Sequence, residues 1–152
     1  MEMDPEGAGV RGLVHVGVHV DDLERAIGLW RDALGFELTS GPFDAPGDML
    51  ATVFGVDQAE ARVAMLEAGG LEIELAENSI RGESAAHHSA ADPGIPHIAL
   101  EVGDLDATVA AAERHGATPV GEPVEFDIPR GTGRLLYMRD VDGCVIELIE
   151  ID

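Results

Sequence analysis

Two histidine–glutamate pairs, repeated along the chain, are the candidate metal-binding residues. His15 and His97 lie 82 residues apart, and Glu74 and Glu147 lie 73 residues apart. Burying a carboxylate or an imidazole is costly unless the group is paired or binds a cation. Such ligands suit Zn, Ni, Co, Fe or Mn without selecting among them. The pairs therefore predict one divalent metal ion held by all four side chains, with two positions of a six-coordinate ion open for substrate oxygens.

The pairs belong to an internal repeat, which determines the architecture. Residues 13–24 align with residues 95–106, and five of the twelve aligned positions are apolar in both copies. Residues 70–77 align with residues 143–150 in the same way. The second copy is about nine residues shorter between its ends, a difference that loops absorb. The chain thus contains one structural unit written twice.

Each copy begins with a strand and a helix that would position its histidine. Val14, Val16, Val18 and Val20 alternate with polar residues or glycine, which is typical of a strand with one buried face. Asp21 or Asp22 could cap the helix that follows, and Gly35 would end it. The apolar stripe of that helix has spacings of three and four, at Leu23, Ile27, Trp30 and Leu34. The second copy repeats this design between Asp104 and Gly116.

Further strands are expected in both copies, at residues 50–54, 62–67, 71–76, 119–124, 135–138 and 145–149. Each copy is then a strand, a helix and about three strands, so the fold class is α+β. We expect one domain over residues 1–152, with module one at about 11–77 and module two at about 94–152. The linker at about 78–93 contains His87 and His88, which we interpret as solvated. Two-fold pseudo-symmetry would bring the two pairs together at one site.

Each candidate residue also has an ordinary explanation. A single strand histidine is more often hydrogen-bonded or exposed than a ligand, and Glu74 or Glu147 alone could lie on a solvated face. His19 and Glu101 would share the polar face with the metal ligands, where they contact substrate or water. Arg130, in a glycine-rich segment, either binds an anionic substrate group or belongs to a hairpin turn. It is the repetition that favours the metal site.

The composition excludes some classes of binding partner. Nine basic and thirty acidic side chains give a net charge of −21, which disfavours nucleic acid and anionic membranes. No apolar run approaches the ~20 residues of a membrane span, and residues 1–9 lack the features of a secretion signal. We therefore expect a cytoplasmic protein with a small-molecule substrate. Cys144 is the single cysteine and cannot form an intrachain disulfide.

Three segments carry a resemblance to the vicinal oxygen chelate superfamily, which includes glyoxalase I, methylmalonyl-CoA epimerase, extradiol dioxygenases and bleomycin-resistance proteins. They are residues 15–18, 94–102 and 139–150. The resemblance implies two tandem βαβββ modules that form a curved mixed sheet around a metal cleft. It also implies that His15, Glu74, His97 and Glu147 are the ligands. A homodimer is expected, either exchanging modules or pairing them edge to edge.

Within that superfamily the residues favour the glyoxalase I and methylmalonyl-CoA epimerase branch. The extra carboxylate of Glu74 would occupy a site that a dioxygenase needs for catechol or oxygen. His19 lies at the position where the resemblance to bacterial glyoxalase I implies an arginine that would bind glutathione. The histidine at this position argues against a glutathione substrate. We expect a metal-dependent lyase or isomerase that moves a proton next to a carbonyl, with Glu74 and Glu147 as base and acid. The alternatives are an extradiol-type dioxygenase and a bleomycin-resistance-like binder of an aromatic natural product.

Overall fold

The chain forms two βαβββ modules joined by a linker. The computed structural model describes residues 10, 12–80, 82, 85–129 and 131–152. Module one contains β1 (Val16–Val20), α1 (Leu23–Ile27) continued by a π-helical segment (Gly28–Ala33), β2 (Glu37–Asp44), α2 (Gly47–Phe54), β3 (Ala61–Ala68) and β4 (Leu71–Asn78). A 3-10 turn (Ala85–His87) lies in the linker. Module two contains β5 (His97–Glu101), α3 (Leu105–Arg114), β6 (Thr118–Pro119), β7 (Val124–Ile128), β8 (Gly131–Arg139) and β9 (Val145–Ile151).

Each module builds its own mixed sheet. The first has the strand order β1-β4-β3-β2, and the second has the order β5-β9-β8, with β6 and β7 both paired to β8. In each sheet the first strand runs parallel to the last strand of its module, and the other pairings are antiparallel. The predicted α+β fold with two βαβββ modules is confirmed. Within the described ranges, however, the chain has two separate sheets, with β1 and β5 at their edges.

Helices α1 and α3 start in the same way. The carboxylate of Asp22 accepts a hydrogen bond from the Arg25 N–H at 3.0 Å, and Asp104 accepts one from Ala107 at 2.9 Å. A glutamate of each module's last strand accepts a further bond from the first helical N–H. These contacts join Glu77 to Leu23 at 2.7 Å and Glu150 to Leu105 at 2.5 Å. Of the two predicted caps for the first helix, Asp22 is the one that forms.

Helices α1 and α3 each pack on the sheet of their own module and share one hydrophobic core. α1 packs on β3 and β4, α3 packs on β6, β8 and β9, and α3 also contacts the π-helical segment. The core joins residues of both modules, including the fully buried Leu23, Trp30, Leu105 and Leu148. Each sheet therefore covers its apolar face with helix, and its opposite, polar face points away from the helices.

Three sequence predictions for the secondary structure are wrong. Residues 50–54 belong to helix α2, because a short apolar run does not distinguish a strand from a helix. β2 was not predicted, since this edge strand is almost entirely exposed and has no alternating pattern. Residues 119–124 are mostly the gap between β6 and β7. The other predicted strands agree with the structure to within a few residues at their ends.

The linker is fastened to the turn between β8 and β9. The guanidinium of Arg139 donates to the carbonyl oxygens of Ala85, Ala86 and His88. At Gly143 a Cβ atom would overlap the backbone of Ala85 and Ala86, so the two segments are in direct contact. Among the described residues, none of the helices combines the length and the apolar character that a membrane crossing requires.

Candidate metal centre

The first histidine–glutamate pair lies on the polar face of the first sheet. His15 immediately precedes β1, and Glu74 lies in β4 beside Gly17 in the parallel register. The His15 Nε2 and Glu74 Oε2 atoms are 3.8 Å apart. Both side chains are about one-third exposed, at 35% and 31%. Alternation along the strand places His19 on the same face, beyond Gly17.

The second pair is closer together, and its carboxylate is better covered. His97 begins β5, and Glu147 lies in β9 beside Ala99. The His97 Nε2 and Glu147 Oε2 atoms are 2.9 Å apart, and only 13% of the Glu147 side chain is exposed. Tyr137, in β8 next to Glu147, has its hydroxyl 3.4 Å from His97 Nδ1 and its ring centroid 5.0 Å from that of His97. Burial, followed by the charge of Glu147, raises the pKa of Tyr137.

The structure brings the members of each pair together but does not bring the two pairs together. Among the residues that it describes, no three His, Cys, Asp or Glu side chains form a group that could hold a metal ion. The convergence of all four side chains within one chain, which the repeat predicted, is therefore not found. The assignment of His15, Glu74, His97 and Glu147 as metal ligands stays a prediction.

Each pair separately has the chemistry and the spacing of half a metal site. Nitrogen and oxygen ligands about 2.1 Å from a divalent ion lie roughly 3.0–3.4 Å from each other in octahedral or tetrahedral geometry. The observed separations of 2.9 Å and 3.8 Å are close to that range. Small side-chain rotations would therefore let each imidazole and carboxylate share one cation.

The three predicted substrate contacts differ in their surroundings. The Nδ1 atom of His19 is 2.7 Å from the side-chain nitrogen of Asn78, and its ring meets the ring of Phe54 edge-on at 6.1 Å. Glu101 lies exposed at the end of β5, the position that corresponds to His19. Arg130 lies outside the described residues. All three stay predicted substrate contacts.

Sequence reasoning missed Asn78, Phe54 and Tyr137. Asn78 could have been found, because it lies four residues after Glu74 and so on the same face of β4. Tyr137 had no such signal, since the strand pairing matches it to Met65 in module one, a residue of different chemistry. Phe54 was assigned to a strand that does not exist.

Comparison with known proteins identifies the family. A model of the glyoxalase/bleomycin resistance protein/dioxygenase superfamily matches residues 14–137, which include most of both modules. The chain belongs to this superfamily. The resemblance inferred from the three sequence segments is thereby confirmed.

Two epimerases are similar to this chain. A 2-epi-5-epi-valiolone epimerase of an Actinomyces species is 33% identical, over 95% of this chain and 84% of its own length. An ethylmalonyl-CoA/methylmalonyl-CoA epimerase of Cereibacter sphaeroides is 30% identical, over 91% of this chain and 97% of its own. A solved glyoxalase family protein from Bacillus cereus superposes with a TM-score of 0.82 at 26% identity, covering 94% of this chain and 95% of that one. These relatives support an isomerase- or epimerase-type function.

Proposed function

We propose that the protein is a metal-dependent isomerase or epimerase of the glyoxalase type, which moves a proton at a carbon next to a carbonyl. Its small substrate would bind the cation through two neighbouring oxygens. The observation that carries the proposal is the repeated pair, His15 with Glu74 and His97 with Glu147, at separations of 3.8 Å and 2.9 Å. The similarity to two epimerases supports the reaction type.

The four side chains would have distinct tasks. All four would hold a divalent cation, which supplies Lewis-acid polarisation of the substrate carbonyl when it is bound. Glu147, the less exposed of the two carboxylates, would take the proton from carbon as the general base. Glu74 would return a proton to the opposite side. Proton transfer of this kind contributes roughly 10²–10⁴ in rate.

We further propose that the complete site requires a homodimer that exchanges modules. β1 and β5 are edge strands of different sheets; one histidine lies at the start of each, and the neighbouring strand β4 or β9 carries its glutamate. Leu13 and Val14, just before β1, are 73% and 79% exposed. An exposed strand edge with apolar side chains is a template for pairing with another chain. Placing β1 of one copy beside β5 of a second copy would join the two half-sites twice in a symmetric dimer.

The reaction is tested in deuterated water with protein loaded with a single divalent metal. The substrates of the two related epimerases, 2-epi-5-epi-valiolone and methylmalonyl-CoA, are the first candidates. We expect deuterium to enter one of them at the carbon beside the carbonyl, at a rate that chelation of the metal abolishes. Turnover without incorporation, or no turnover of either compound by the metal-loaded protein, would contradict the proposed function.

The dimer is tested by mixing two inactive variants, His15→Ala and His97→Ala, after unfolding and refolding them together. In a module-exchanging dimer, half of the molecules are mixed and each has one intact site, so about a quarter of the native activity should return. Each variant refolded alone is the control and should remain inactive. Absence of recovery in the mixture would mean that both pairs of one chain serve the same site.

A further inference from the structure

We propose that Asn78 holds His19 in one neutral tautomer, so that His19 donates a hydrogen bond from Nε2 to an uncharged, hydroxyl-bearing substrate. This inference rests on the proposed function for the presence of a substrate at the first half-site. It adds the chemical class of that substrate and a positioning residue, Asn78. The argument depends on the hydrogen bond between the two side chains, on their place in the sheet and on the charges around them.

The hydrogen bond determines where the imidazole proton lies. The side-chain nitrogen of Asn78 is 2.7 Å from His19 Nδ1 and 3.5 Å from the carbonyl oxygen of Ala76. A carboxamide nitrogen only donates, and the nearby carbonyl of Ala76 favours nitrogen over oxygen at this position. His19 Nδ1 must then accept, and in a neutral imidazole the proton is on Nε2.

The sheet places this donor within reach of a ligand at the first pair. His19 lies opposite Ala76 and is two residues along β1 from Gly17, on the same face of the strand. Gly17 in turn lies opposite Glu74. Successive side chains on one face of a strand are roughly 7 Å apart, which is the span of a single substituted ring. Gly17 has no side chain between them. Phe54 meets the ring of His19 at an interplanar angle of 62° and limits its movement.

The charges around His19 favour a neutral ligand. His19 and Asn78 line a cavity of about 480 Å³ that also borders Asp21, Arg25 and Asp142. Among the described residues of this lining, Arg25 is the one guanidinium, and Asp142 binds it at 2.9 Å. The net charge of −21 adds a general repulsion of anions. A hydroxyl or carbonyl oxygen avoids this repulsion and can accept the Nε2 proton.

The tautomer is measured by nitrogen NMR of histidine-labelled protein without metal or substrate, with the His19 signals assigned from a His19→Gln variant. We expect the proton of His19 on Nε2. In Asn78→Leu, which is similar in size but has no donor, the two tautomers should mix. Glu72→Leu, on the same face of the same strand, is the control and should leave His19 unchanged. A proton on Nδ1 in the native protein would overturn the proposal.

The ligand class is measured in protein loaded with Zn²⁺, with 2-keto-myo-inositol, an uncharged cyclic polyol ketone, and coenzyme A, a polyanion. The ketone should shift the His19 Nε2 signal, and Asn78→Leu should weaken its binding about ten-fold, as expected for one hydrogen bond. His19→Gln, which retains an N–H donor, should bind better than His19→Leu. A shift with coenzyme A, or with neither compound, would overturn the proposal. Since the tautomer is measured without metal and the binding is measured without turnover, failure of this proposal is distinguishable from failure of the proposed reaction.

Discussion

The two modules have the same framework but different half-sites. In both, an aspartate caps the helix and a glutamate of the last strand binds the first helical N–H. Yet the His97–Glu147 pair is closer than the His15–Glu74 pair and its carboxylate is less exposed, and Tyr137 contacts His97 where module one has Met65. The two copies share the backbone arrangement and the pairing of a histidine with a glutamate on neighbouring strands, while the surroundings of each pair differ. The two pairs therefore need not contribute equally to metal binding or catalysis.

The turns that precede the last strands differ in a second way. In module one the turn is formed by Gly69 and Gly70, and a Cβ atom added to either residue would lie in open space. In module two the corresponding turn packs on the linker through Gly143, and Asp142 binds Arg25 of α1. The module-two turn thus ties the modules together, a task that the module-one turn does not share.

The largest expected effect is on turnover, and it distinguishes the two carboxylates. Glu147→Gln should lower turnover by about 10²–10⁴, because it removes the proposed base, and Glu74→Gln should lower it less. Rates are measured with metal-saturated protein, and circular dichroism should show both variants folded. Equal losses would mean that the two half-sites contribute alike, and full activity of Glu147→Gln would remove that residue from the mechanism.

The next effect compares the two glycines of the turns. Gly143→Ala should lower the free energy of unfolding by about 4 kcal/mol or more, since its Cβ would overlap the linker backbone. Gly70→Ala has the same left-handed strain but open space, and should cost about 1–2 kcal/mol. Urea denaturation of both variants measures the difference. Equal costs would show that the linker moves aside readily.

A smaller effect concerns the tyrosine that only module two possesses. Tyr137→Phe should weaken metal binding about ten-fold, because a partner on the second imidazole nitrogen orients a metal-bound histidine. Met65→Leu, at the matching position of module one, is the control and should change the affinity little. Titration with Co²⁺ followed by its absorption spectrum measures both. An unchanged affinity and spectrum in Tyr137→Phe would reduce the tyrosine to a packing role.

The smallest effect depends on pH. Burial, opposed in part by the Cys144 N–H, raises the pKa of Asp140 in the module-two turn. The folded protein therefore holds this proton more tightly than the unfolded chain does, and its contribution to stability is complete below a pH of about 4 and lost as the carboxyl ionises. Asp140→Asn retains the accepting oxygen without the charge, so its Tm should be about 1–3 °C higher at pH 7. That gain should vanish in acid, and a gain independent of pH would contradict the burial argument.

Much of the framework was predictable because it depends on local patterns. The stripe through Leu23 and Trp30, the aspartate caps and the alternating valines of β1 each need only neighbours in sequence to be recognised. The failures have the opposite cause. β2 is exposed and carries no pattern, and the helix that contains residues 50–54 was too short to be separated from a strand.

By itself the sequence determined the duplication, the α+β modules and the pairing of a histidine with a glutamate in each of them. The tertiary structure decided two further things. It assigned Glu77 and Glu150 to the helix N-termini rather than to the polar face, and it placed the two histidine–glutamate pairs on separate sheets. Spacing along a strand determines which side chains share a face of that strand, because the backbone alternates. How two such faces lie relative to each other depends on the packing of distant helices, which no local spacing records.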